Sequence, residues 1–198
     1  MIPDSVDTIG AYAFSSCNNL TSVVIPDSVT TIGRSAFAYC NNLTDVIIPN
    51  LVTNIGPYAF SGSGISNVTI SNSVTELVDG IFDGCLNLTH IEIPNSVTNI
   101  GGAVFGRCDN LKNIVIPDSV TTIGRNTFVY CTGLTEITIP NSVTTIDEGA
   151  FSMCTSLSSI NFDGTIEEWN NIYKFRWGDS IEGVPATYIQ CTDGTVAL

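Results

Sequence analysis

Basic residues are scarce in this chain: six Lys and Arg stand against 19 Asp and Glu, for a formal net charge of −13. Phosphate backbones need clustered cations, so this balance argues against nucleic acid as a partner and against anionic membrane surfaces. Histidine is scarcer still, with His90 alone. Catalytic and metal sites combine several titratable groups, and one imidazole rarely makes one. No run of 18 apolar residues occurs, so no segment is long enough to span a bilayer, and Met1-Ile2-Pro3 enters without a secretory leader. There is no Cys-x-x-Cys pair, no phosphate-binding glycine loop and no His-Glu-x-x-His helix. Only 13% of residues are charged, and Ser, Thr and Asn carry most of the polar surface.

What the chain has in abundance is repetition. Aligned on the apolar residue that precedes proline, the anchors fall at Ile2, Ile25, Ile48, Ile70, Ile93, Ile116, Ile139 and Phe162, a period of 23 residues that is one short between Ile48 and Ile70. A fixed period of this length means a solenoid. Within each unit the same columns are apolar: Val6 to Val143, Ile9 to Ile146, and the phenylalanines Phe14, Phe37, Phe60, Phe82, Phe105, Phe128 and Phe151. A position that admits one aromatic in every copy faces an interior slot of fixed size, so these columns are core.

The stretch that closes each unit, as in Leu20-Thr-Ser-Val23-Val-Ile25 or Leu134-Thr-Glu-Ile137-Thr-Ile139, alternates apolar and polar residues. That is the period of a strand with one buried face. Stacked strands of a parallel sheet sit about 4.8 Å apart, so seven units rise about 30 to 35 Å. Proline after the strand ends the ladder and turns a corner. The Ser-Val-Thr-x-Ile segment that follows is rich in β-branched residues and predicts a second short strand. Gly10, Gly33, Gly56, Gly101 and Gly124 then suggest a bend needing relaxed backbone geometry, and runs such as Arg34-Ser-Ala-Phe37-Ala-Tyr39 a single helical turn on the convex side.

These columns, as they stand at Ile25 to Val46 and Ile116 to Ile137, resemble the BspA-like leucine-rich repeats, and the match covers about residues 2 to 162. The third unit departs from the pattern with Ser63 in the cysteine column and a residue lost near Gly62-Ser-Gly64. The fourth departs with Ser71 and Val78 in place of Pro and Gly. A local irregularity or bend is expected there. The resemblance implies a bacterial cell-surface or secreted protein that adheres to host proteins or other cells. The entry in mid-repeat reads as a piece of a longer protein, because an array without a cap leaves its first core layer open.

Cys17, Cys40, Cys85, Cys108, Cys131 and Cys154 share one column. Ladder neighbours would lie about 5 Å apart, but their parallel Cβ vectors disfavour a disulfide torsion, so the reading is buried free thiols that pack as small hydrophobes. Cys191 lies outside the column and reads as packed. The Asn42-Leu-Thr44 type of triplet arises from the repeat itself and carries no weight as a glycosylation signal.

After Phe162 the pattern stops. Thr165 and Glu168 have capping-box spacing, predicting a short helix from about Ile166 to Tyr173 that lays Ile166, Trp169 and Ile172 over the last unit. Ala186 to Cys191 reads as a final strand with a turn at Asp193-Gly194.

The expected architecture is a β-rich leucine-rich-repeat solenoid: a parallel strand sheet on one face, and short β segments and single helical turns on the other. Residues 1–162 form the array and 163–198 a C-terminal capping segment. The positions the fold leaves free are two exposed strand columns, Ser22, Asp45, Asn67, His90, Asn113, Glu136 and Ser159, then Val24, Ile47, Thr69, Glu92, Val115, Thr138 and Asn161. Val24, Ile47 and Val115 are apolar where water is expected, which hints at a contact patch. The leading expectation is a non-catalytic protein-binding module without cofactor or metal, His90 and Glu92 being ordinary polar residues of a solvated sheet. Two other roles are a structural spacer in a larger surface protein and a carbohydrate-binding module that stacks sugars on Trp169 and Trp177.

Overall fold

A computed structural model describes residues 2–198. Each repeat makes one coil, and successive coils stack through three faces. On the first face the strand closing each unit pairs in parallel with the next: Asp45–Ile47 with Asn67–Thr69, and Glu136–Ile139 with Ser159–Phe162. On the second face the two-residue strands Thr8–Ile9, Thr31–Ile32 and Asn54–Ile55 form one parallel ladder. Glu76–Leu77, Asn99–Ile100, Thr122–Ile123 and Thr145–Ile146 form another. The β-branched and aliphatic residues of both faces point inward with Val29, Ile32, Leu77, Val97, Ile123 and Leu134, all fully buried.

Corner chemistry explains the Pro-x-Ser-Val signature. The proline carbonyl accepts the valine N–H three residues on, as in Val29 to Pro26 and Val120 to Pro117, both 3.0 Å. The serine hydroxyl then donates to the valine carbonyl of the coil before: Ser28 to Val6 at 2.7 Å, Ser96 to Val74 at 2.6 Å and Ser142 to Val120 at 2.7 Å. A backbone acceptor that the turn would leave unpaired is thereby satisfied.

The third face corrects the expected helical turns. Between Arg34 and Tyr39 the chain makes tandem tight turns, with Ser35 at φ 51° and Tyr39 at φ 59°. Alternate amides look in different directions. Ala36 and Ala38 bond back three residues to Gly33 and Ser35, while Ser35, Phe37 and Tyr39 donate along the solenoid axis to Pro57, Ala59 and Ser61 of the next coil. A helix would turn every amide back along its own chain, and the stack would lose these bonds between coils.

Glycine has a different reason from the one expected. Gly33 and Gly124 are not in the left-handed region, where Tyr12, Ser35, Tyr39, Tyr58 and Tyr130 sit instead. A Cβ on Gly33 would lie 2.5 Å from the Ala11 nitrogen, and one on Gly124 2.6 Å from the Gly101 carbonyl carbon. At Gly33, Gly56 and Gly124 two backbones pass too close for a side chain unless one of them shifts.

Inside, the phenylalanines form one continuous stack from Phe14 to Phe151, with ring centroids 5.1 to 6.0 Å apart and planes within 13° of parallel. Trp177 meets Phe151 edge-on, and Trp169 sits against both Phe162 and Trp177. The helix that carries Trp169 runs Ile166–Asn171, two residues shorter than expected, and starts on the predicted capping box of Thr165 and Glu168. The final strand, Tyr188–Cys191, extends the first face beside Ser159–Phe162. An antiparallel strand that sequence reasoning did not foresee, Gly194–Ala197, then folds back on it.

The expected irregularity falls between the third coil and the fourth. Asn54–Ile55 does not pair with Glu76–Leu77, so the second face divides into two sheets there. The first face opens at the same level, since among the described residues no backbone hydrogen bond joins 66–72 to 89–95. The turn face keeps its backbone bonds, through Tyr58 to Asp79, Phe60 to Ile81 and Gly62 to Asp83 at 2.7 to 3.0 Å.

Candidate functional site

The two strand columns lie where alternation puts them. Ser22, Asp45 and Asn67 are in register, as are Ile47 with Thr69, Glu136 with Ser159, and Glu92, Val115, Thr138 and Asn161 along one row. Ser22, Val24, Asp45, Ile47, Asn67, Thr69, His90, Glu92, Asn113, Val115 and Glu136 are exposed. Thr138, Ser159 and Asn161 are only half-exposed, close to the added strand Tyr188–Cys191. Val24, Ile47 and Val115 are 74%, 67% and 71% exposed, yet Thr69 and Glu92 separate Val115 from the other two, so they do not make one patch.

Polar contacts run across the columns. Asp45 accepts from Thr44 Oγ1 at 2.6 Å and Asn67 Nδ2 at 2.9 Å, and these hydrogen bonds, Thr44 first, hold its carboxyl below the usual range. His90 Nδ1 lies 3.3 Å from Asn113 Oδ1. Neither Asp45 nor Glu136 joins His90 and Glu92 in a cluster, and among the described residues no three His, Cys, Asp or Glu side chains converge as a metal site.

A concavity on this face is the opening between coils three and four. It encloses 630 Å³ between the strand segment that includes Asn67 and Thr69 and the one that includes His90 and Glu92. Sequence columns alone did not reveal it. Its signal was the local loss of pattern at Ser63, Ser71 and Val78. Ser71 turns inward and donates to Pro49 O at 3.1 Å.

The cysteine column offers no nucleophile. All seven cysteines are free thiols, and those from Cys40 to Cys154 are buried, whereas Cys17 is exposed, contrary to the expectation for its column. Burial pushes the Cys85 and Cys154 thiols up to about 12 and raises Cys108 and Cys131 well above the ordinary range. A thiol so disfavoured as thiolate is unreactive. Cys191 is buried and its thiol is raised by burial and then by Asp193.

The sugar-stacking role of the tryptophans meets a geometric obstacle. Trp169 is 2% exposed, its ring held among Phe162, Trp177 and the Lys174 ammonium 4.8 Å from its centroid. Lys174 also donates to the carbonyls of Trp169 and Ile172, closing the helix C-terminus, and its burial lowers its pKa. These residues seal the last coil.

The model for a BspA type leucine-rich repeat region, in 6 copies, matches residues 1–108 and 76–175. Among solved structures, a leucine-rich repeat protein from Bacteroides ovatus is similar at 28% identity and TM-score 0.76, over 97% of this chain and 54% of that one. A leucine-rich cell surface protein from Faecalibacterium prausnitzii is 32% identical, with TM-score 0.52, over 78% of this chain and 35% of that one. The leucine-rich repeat protein of T. pallidum is 26% identical, with TM-score 0.52, over 96% of this chain and 81% of that one. The chain thus spans about half the length of the first and a third of the second. Comparison with curated proteins gives no match.

Proposed function

The chain belongs to the BspA-type leucine-rich repeat family, and from that premise we propose that it is a non-catalytic protein-binding module of a bacterial surface or secreted protein, acting in adhesion to a host or cell-surface protein. The observation that carries the reading is the open strand face: two columns of variable residues stand exposed over a core whose own columns barely vary. Such a surface offers many separate polar contacts in a rigid array, which suits a protein partner better than a small molecule. The cell-surface character of the Faecalibacterium relative supports the location. In this reading residues 1–162 form the binding array, and 163–198 cap it.

The test replaces Asp45, His90, Glu92 and Glu136 together by alanine and measures binding to a panel of purified host matrix proteins by surface plasmon resonance. We expect at least one partner whose affinity falls about tenfold or more, since anchoring contacts each contribute upwards of about 1 kcal/mol, with the circular dichroism unchanged. A partner bound equally well by the variant would remove the face from consideration. A panel with no binder would favour the spacer role.

A further inference from the structure

The edge of the strand Asn67–Thr69 faces the segment through His90 and Glu92, which is bridged onward to the next coil at Glu92 and Val115. On one side of the opening the ladder closes, with Asp45–Ile47 on Asn67–Thr69; on the other, single bridges join Glu92 to Val115 and Val115 to Thr138 before Glu136–Ile139 pairs fully with Ser159–Phe162. Between Asn67–Thr69 and the segment through His90 and Glu92 it does not: among the described residues no backbone hydrogen bond joins the two walls, while Asn67 N–H and Thr69 C=O are taken up by Thr44 and Ile48 of the coil before, and Thr89 C=O by Lys112 of the coil beyond. Unpaired strand edges recruit further strands, and proteins ordinarily cover or blunt them. No Pro or Lys interrupts Asn67–Thr69 or the segment from Thr89 to Glu92, and Pro94 lines the cleft beyond them.

The lining says what would fit. Its volume, 630 Å³, falls among ligand sites of about 300–1,000 Å³. The rim is polar, with Asn67, Thr69, His90 and Glu92, and the floor holds Val68 and Ile91. Glu92 is its one carboxylate, no Lys or Arg lines it, and the whole chain carries −13. A phosphate-bearing ligand would be repelled, and a sugar would find no aromatic platform of Phe, Tyr or Trp.

We propose that this cleft takes an extended, basic peptide segment of the partner protein, which pairs its backbone with the open edges and sets alternate side chains toward Glu92. This rests on the protein-binding reading above and names the part of the partner that the face receives. Main-chain bonds would supply affinity, and the alternate side chains selectivity, as in other strand additions.

The test uses the full chain and two ten-residue peptides of alternating lysine and valine, one plain and one N-methylated at alternate amides. Charge is the same in both, but only the plain peptide can pair along both edges. Amide exchange followed by NMR should slow at Val68, Ile91 and Glu92 with the plain peptide and not with the methylated one, whereas Asn67 and Thr69, already paired to the coil before, should change little. Glu92→Lys should weaken the plain peptide about tenfold, through loss of an opposite charge and gain of a like one. Equal effects of the two peptides, protection confined to other coils, or no protection at millimolar peptide would each overturn the proposal. If a matrix protein still lost affinity to the fourfold face variant, the protein-binding reading would stand while the cleft lost its assignment.

Discussion

A buried thiol is a small apolar group with one weak proton to give, and in five coils that proton goes to a phenylalanine carbonyl of the coil before: Cys40 to Phe14, Cys85 to Phe60, Cys108 to Phe82, Cys131 to Phe105 and Cys154 to Phe128, at 3.0 to 3.3 Å. In the third coil Ser63 donates instead to Phe60 of its own turn. The column is therefore a packing and hydrogen-bonding device, and its protonation is tied to folding. Because burial raises the folded pKa of these thiols above their unfolded values, the stability they lend is whole below about pH 9 and drains away as pH rises toward about 12. Urea midpoints should thus fall steeply between pH 9 and 11, by the equivalent of a few kcal/mol. A variant with Ala at Cys85, Cys108, Cys131 and Cys154 should show a flatter profile, and equal slopes would rule the thiols out as the cause. The phenylalanine stack obeys the cavity argument: Phe105→Ala should cost about 3–5 kcal/mol, and Phe14→Ala, at a half-buried site, distinctly less by the same denaturation measurement.

The strands, corners and interior columns were legible in the sequence because each obeys a period that burial enforces. So was the capping box at Thr165 and Glu168, a local motif with its own chemistry. The turn face was not, because Arg34 to Tyr39 is long enough for a helical turn. What prevents one is the neighbouring coil, whose carbonyls at Ala59 and Ser61 claim the Phe37 and Tyr39 amides. The exposed columns could be read from alternation, but the cleft within them could not, since it depends on how one coil seats on another. Val78 stands where Gly33, Gly56 and Gly124 pass against the preceding backbone. Asp147 occupies the same column and its ladder with Thr122–Ile123 is intact, so a side chain there is not sufficient by itself. The opening coincides with the β-branched Val78, the shortened third coil and Ser71 in place of proline. Val78→Gly should therefore bring Asn54–Ile55 and Glu76–Leu77 toward pairing, visible as slower amide exchange on those segments. If exchange there does not change, the missing residue near Gly62 and Gly64 is what holds the coils apart.

In a solenoid each coil touches only its neighbours, so stability is a sum of coil terms and interface terms, and the weakest interface marks where the cooperative unit divides. Each of the other interfaces has a second-face ladder, first-face pairing that ranges from a single bridge to a full ladder, the turn-face bonds and the ring stack. The one between coils three and four keeps the turn-face bonds, the Phe60–Phe82 contact at 5.9 Å and the hydroxyl bonds of Ser71 and Ser73 to Pro49 and Val52. Both ladders are missing from it. The two sides also end differently. Beyond the fourth coil the stack finishes under Trp169 and Trp177, whereas in the first coil Phe14 and Leu20 remain half-buried and Cys17 exposed. The 198-residue chain should accordingly open in two steps, with the amides of Thr31–Ile32 and Asp45–Ile47 exchanging at a lower free energy than those of Thr122–Ile123 and Glu136–Ile139. Trp169→Ala should lower the second value and leave the first nearly unchanged, because its contacts end at the last coils. Native-state hydrogen exchange in graded denaturant separates the cases: one common free energy for all four segments, shifted together by Trp169→Ala, would mean that the turn face and the ring stack alone couple the coils into a single unit.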